Sequence, residues 1–120
     1  MDSQKLNSLL LEKFPQIRHQ FDDFVSWQEG MATGSHVVFE DVFVPYILDR
    51  IAKNDAEEVK RCFDFVESLF SLHDDYADDV AGQSVLETLS EGNANLDLSS
   101  IKLGKLSEQY YEKYLKNFQN

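Results

Sequence analysis

Apolar side chains recur at steps of three and four along almost the whole chain, and this spacing limits the possible folds more than any other feature. Such steps place side chains on one face of a helix, whereas a half-buried strand alternates every second residue. Leu6, Leu9, Leu10 and Phe14 form a first stripe. Ile17, Phe21, Phe24, Val25 and Gln28 form a second, behind Pro15, which suits the opening turn of a helix ending near Gln28. Val59, Cys62, Phe63, Val66, Leu69 and Phe70 form a third. Phe65 and Leu72 fall off that stripe, which predicts a central helix over Ala56 to Leu72 buried on two sides. Ala77, Val80, Ala81, Val85, Leu86 and Leu89 line a helix running to about Ser90. Leu106, Tyr110, Tyr114, Leu115 and Phe118 turn one face of the last helix inward.

Capping residues punctuate these stripes. Asp2 or Ser3, Asp55, and Asp74 or Asp75 each stand where a side-chain oxygen can accept the free N–H groups of a first turn. Glu57 and Glu58 follow Asp55 at the positive end of a helix dipole. Residues 29–35 (EGMATGS) and 91–95 (EGNAN) read as a loop and a turn, with Gly30 a helix-ending residue. Leu96, Leu98, Ile101 and Leu103 make a short amphipathic piece stopped by Gly104.

Residues 36–54 carry two signals. Val37, Val38, Phe39, Val42, Phe43 and Val44 favour strands. Phe39, Phe43, Ile47 and Ile51, however, step by four. Pro45 breaks a helix near Val44, so the prediction is a short helix, a break, and a helix from Pro45 to Lys53. A short strand before Pro45 is the alternative, though no partner strand is evident. The fold class is therefore all-α: one domain over residues 1–120, an antiparallel stack of six or seven short helices. The helix pairs in 36–90 look like one and a half units of a HEAT-like solenoid, without self-similarity strong enough to define a repeat.

Charge is the second constraint. The chain carries 22 acidic against 11 basic side chains, a net charge of −11. No Lys or Arg occurs from Cys62 to Ile101, a stretch holding nine acids. A one-signed surface of this kind repels nucleic acid and anionic lipid and attracts cationic partners. Residues 101–120 reverse the sign, with four Lys against two Glu. No apolar run approaches the roughly 20 residues that span a bilayer, and the start of the chain lacks a secretory leader pattern, so a cytoplasmic protein is expected.

Chemical motifs are sparse. Cys62 is the single cysteine, which excludes an internal disulfide and a multi-cysteine zinc site; on an apolar stripe it reads as an inert buried thiol. His19, His36 and His73 have no recognisable nucleophile nearby in sequence. No phosphate-cradling glycine loop, zinc-protease motif or calcium loop is present. No catalytic residue, cofactor or metal is expected. Asp74, Asp75, Asp78 and Asp79 put four carboxylates into six residues, more than capping needs. They suit a solvated face or a partner-binding face, with a metal-dependent enzyme as a more distant reading beside His73. Trp27 reads as packing under the 29–35 loop or as a contact residue. Tyr110 and Tyr114 read as core, and Tyr111 as an exposed contact residue.

The run from Trp27 to Gly30, then Gly34, then His36 to Ile47 (HVVFEDVFVPYI) resembles small, acidic, all-helical bacterial immunity proteins, in particular those of contact-dependent growth inhibition systems. The resemblance covers about residues 27–90 and includes no catalytic signature. It implies a cytoplasmic inhibitor, a monomer that binds one basic toxin domain, many such toxins being nucleases. Glu40, Asp41, Asp74, Asp75, Asp78 and Asp79 would meet the toxin's cations, with Trp27 and Tyr111 as aromatic contacts. An acidic adaptor that takes a basic or amphipathic peptide into a helical groove is the alternative.

Overall fold

The computed structural model describes residues 1–91 and 96–119, and for Phe118 and Gln119 the backbone alone. The predicted turn at 91–95 and the inward placement of Phe118 therefore lie largely outside the described residues. Six helices build the described chain, with no strand among these residues.

Helix α1 (Ser3–Lys13) starts on Asp2, whose side chain accepts the Lys5 N–H. It ends at Phe14, and Pro15 opens a tight 3-10 turn (Pro15–Ile17) that feeds α2 (Arg18–Val25). Helix α2 stops three residues earlier than its stripe predicts. Gln28 is consequently exposed, and the chain passes through a second short turn at Gly30–Ala32. Helix α3 spans residues 35–52 without interruption. The predicted break before Pro45 is absent for a physical reason. Residues Phe39–Phe43 adopt the wider π-helical turn, in which the Val44 N–H bonds the Phe39 carbonyl five residues back. That widening makes room for the proline ring, so Pro45 enters without ending the helix. The four-residue stripe survives it: Phe39, Phe43 and Ile47 are fully buried.

Helix α4 (Ala56–Phe70) begins on Asp55, which accepts the Glu58 N–H. It is buried on two sides, with Cys62, Val66 and Leu69 on one and Phe65 on another, and it packs against α3, α5 and α6. Phe14, Phe43 and Phe65 meet there with ring centroids 5.2–5.8 Å apart, in tilted and edge-on geometries favoured by aromatic quadrupoles. Helix α5, residues 75–90, is capped by Asp74 through the Ala77 N–H. All six residues of its predicted inner face are completely buried.

Helix α6 (Lys105–Gln119) is capped from outside its own sequence. The Glu67 carboxylate, on α4, accepts the Leu106 N–H (3.0 Å), the Ser107 N–H (2.9 Å) and the Ser107 hydroxyl (2.8 Å). This places a negative charge on the positive end of the α6 dipole and satisfies two free backbone donors. Burial pushes the Glu67 carboxyl up, but the three donors outweigh it and hold the group below the ordinary value of 4.5. The carboxylate lies so close to Gly104 that a Cβ there would run into it. One core unites residues from all six helices.

Candidate functional site

Cations and anions are separated in this fold. Every Lys or Arg ion pair among the described residues lies between residues 18 and 64. Arg18 meets Asp22, Arg50 meets Asp49 and Asp55, and Lys53 meets Asp49; Lys60 meets Asp64, and Arg61 meets Glu58. None reaches the opening turns of α5. Asp75 and Asp79 are exposed there and Asp78 is half-buried, and no Lys or Arg pairs with any of them. Glu40 and Asp41, at the middle of α3, are half-buried and exposed respectively and are likewise free of Lys or Arg partners.

The α5 carboxylates affect one another. Burial raises the Asp78 carboxyl above its ordinary value, and the neighbouring Asp75 charge adds to the rise. Its Oδ1 is shielded from solvent and has no hydrogen-bond partner. Asp74 differs. One oxygen accepts from the Met1 amino group at 2.8 Å and the other from the Ala77 N–H at 2.9 Å, and these bonds lower its pKa. Asp74 is thus a structural cap, and the open anionic group of α5 is Asp75, Asp78 and Asp79. No hydrogen bond or ion pair joins this group to Glu40 and Asp41.

The two aromatic expectations come out in opposite directions. Tyr111 is only 8% exposed, so its predicted role as a surface contact is corrected. Its ring joins the core beside Tyr114, at 6.2 Å between centroids. Trp27 is 92% exposed and does not pack beneath the 29–35 loop. That loop is held without it. Fully buried Asn7 donates to the carbonyls of Met31 (3.0 Å) and Thr33 (2.8 Å) and accepts from the Ser35 hydroxyl (2.8 Å). Early termination of α2 leaves the indole outside, on a loop fixed from below.

Two groups invite a catalytic reading and do not sustain it. Ser84 lies 2.6 Å from His36 Nδ1, a pairing across 48 residues that local sequence context does not reveal. Ser84 is completely buried, so its hydroxyl meets no substrate. Cys62 is also completely buried, and burial raises its thiol to about 12, which leaves negligible thiolate at neutral pH. No group of three or more His, Cys, Asp or Glu side chains among the described residues is placed to hold a metal ion.

An apolar cleft of about 690 Å³ lies between α4 and the segment 96–104, floored by Phe63. The Asp55 and Asp64 carboxylates on its rim are paired with Arg50 and Lys60 of the same chain, so it is not the acid-rimmed groove that a basic peptide would need. Nothing in sequence announces this cleft, because its two walls are 30 or more residues apart.

Taken together, fold and surface define a small all-α protein with exposed carboxylates at Asp75 and Asp79 that meet no Lys or Arg among the described residues. The chain belongs to the family described as "Domain of unknown function (DUF7674)", whose model matches residues 7–120. No curated protein and no solved structure gives a match to the chain. No helix among the described residues is long and apolar enough to cross a membrane.

Proposed function

We propose that this protein is a non-enzymatic binding protein of the cytoplasm that captures a basic protein on its anionic face. One observation carries the reading. Glu40, Asp41, Asp75, Asp78 and Asp79 are without Lys or Arg partners among the described residues, whereas Asp22, Asp49, Asp55, Glu58 and Asp64 each have one. Like charges held this close repel, and a cationic partner relieves that repulsion when it docks. Exposed Trp27 supplies the kind of large, rigid aromatic surface that anchors interfaces.

The resemblance of the central segment to immunity proteins supports a more specific form of the proposal. The partner is then the toxic domain of a contact-dependent growth inhibition system, bound one to one. A nuclease suits the charge argument, since the cations that hold nucleic acid are those an anionic face would cover. The test is to co-express the chain with the C-terminal domain of any large secreted protein whose gene lies immediately upstream. The expected result is a 1:1 complex on size-exclusion chromatography and loss of toxicity. A triple reversal, Asp41→Lys, Asp75→Lys and Asp79→Lys, should weaken the complex at least tenfold. Failure to form any complex, or a complex indifferent to the reversal, overturns the proposal.

A further inference from the structure

The cleft between α4 and residues 96–104 is independent of the anionic face and has its own chemistry. Ile51, Val59, Phe63, Leu96, Ile101 and Leu103 line it. All but Phe63 stay partly exposed, although each belongs to or packs against the core. The wall opposite α4 is fixed at both ends. At one end the Leu96 N–H bonds the Leu89 carbonyl at 2.8 Å, and Leu98 is fully buried. At the other end Glu67 grips the start of α6 just beyond Gly104. Ile101 and Leu103 are therefore held open over the cleft between two anchors, so the cavity exists before anything fills it.

Its charges are asymmetric. Four charged side chains line it, and three of them already have partners: Lys60 with Asp64 at 2.7 Å, and Asp55 with Arg50 at 3.2 Å. Among the described residues, Lys102 is exposed and is the one lining charge without an ion pair. An occupant matched to this cleft has an apolar body and a single anionic group. The cavity volume of about 690 Å³ falls within the roughly 300–1,000 Å³ usual for small-molecule sites. The lining is also smaller than the roughly 20–30 residues a side of a standard protein interface. The helical wall, residues 55–64, gives about 15 Å of length at 1.5 Å per residue, enough for an extended acyl chain.

The geometry points to a binding site for a free single-chain amphiphile with an anionic head, such as a medium-chain carboxylate, its chain over Phe63 and its head at Lys102.

The probe is dodecanoate below its micelle-forming concentration, titrated into the full chain by calorimetry. The expected result is saturable binding of one molecule per chain, with amide shifts in NMR confined to residues 51–64 and 96–104. Ile101→Asp should abolish binding with the circular dichroism melt preserved. Lys102→Glu should weaken it roughly two- to fivefold, the worth of one exposed ion pair. Dodecyltrimethylammonium, with the same chain and the opposite head, should bind more weakly than dodecanoate. The proposal is overturned by no saturable binding, by shifts centred elsewhere, or by binding that survives Ile101→Asp. Equal affinity for the cationic amphiphile overturns it too, as does uptake of an acidic amphipathic peptide or anionic vesicles in place of free dodecanoate. The NMR map uses the unaltered chain, so the result stands even if a variant misfolds.

Discussion

Helices α4 and α5 both open on clusters of acid, and the chain treats the two clusters differently. At the start of α4 the capping Asp55 meets Arg50 at 3.2 Å and Glu58 meets Arg61 at 2.6 Å, while the exposed Glu57 has no Lys or Arg ion pair among the described residues. On α5, Asp75, Asp78 and Asp79 meet no Lys or Arg among the described residues, and burial followed by the neighbouring Asp75 charge raises the Asp78 carboxyl. The same residue type at the same kind of position is neutralised in one helix and left charged in the next. Capping and dipole arguments account for α4 in full, and for Asp74 on α5, but not for the carboxylates that follow it. Composition therefore says less about function than pairing does.

Changes that unbalance the two helices should have effects of different sign. The largest is at the far end of α4, where Glu67 caps α6. Glu67→Ala removes the cap of α6 and should cost about 1–2 kcal/mol in chemical denaturation. Its pH dependence has a definite sign. The Glu67 carboxyl is held below its ordinary value of 4.5 in the fold. Its stabilisation is thus complete above that value and is lost as pH falls through the lower, folded value. The wild-type advantage over Glu67→Ala should shrink on acidification below about pH 4.5, read from paired melts.

Arg61→Ala should lower the denaturation midpoint by less than Glu67→Ala does. It removes the pair to Glu58, the bond from its guanidinium to the Lys13 carbonyl (2.7 Å) and the stacking over Phe14 at 5.0 Å.

On α5 the sign reverses. Asp78→Asn should stabilise at neutral pH, because a raised carboxyl pKa means that the fold disfavours the ionised form. That gain should vanish as pH falls below the ordinary value of 3.8, where the unfolded chain protonates as well. A destabilising Asp78→Asn at pH 7 would show that the α5 carboxylates serve the fold and would erase the contrast between the helices. The smallest effect belongs to Trp27→Ala, which should leave the melting midpoint within the scatter of a surface change, about 0.5 kcal/mol. A larger loss would mean that the indole packs on the protein.

How much of this was readable beforehand follows physical range. Features set within a turn or two were legible: the caps at Asp2, Asp55 and Asp74, the buried stripe of α5 and the two-sided burial of α4. Pro45 misled because proline's local effect on a helix was taken as decisive, when a widened turn before it absorbs the ring. Trp27 and Gln28 misled because a stripe of correct spacing outlasts the helix that carries it. Tyr111 lies one residue along from a face judged by spacing alone, yet Ser107 and Tyr111 are the buried positions, while Tyr110 and Tyr114 are half-buried and Leu115 is exposed. The Glu67 cap, the His36–Ser84 pair and the cleft over Phe63 join segments about 30 residues apart or more, and no local pattern encodes them. The anionic patch was half legible. Its acids were plain in sequence, but their lack of partners became visible only once the fold had assigned every lysine and arginine ion pair among the described residues.

The most direct measurement is the association rate with the basic toxin domain proposed as partner, followed by stopped flow from low to high salt. The account predicts a fall of at least tenfold across that range, and a much flatter dependence after Asp75→Lys and Asp79→Lys. A rate that ignores both salt and charge reversal would contradict the claim that α5 holds its carboxylates open for a cationic partner.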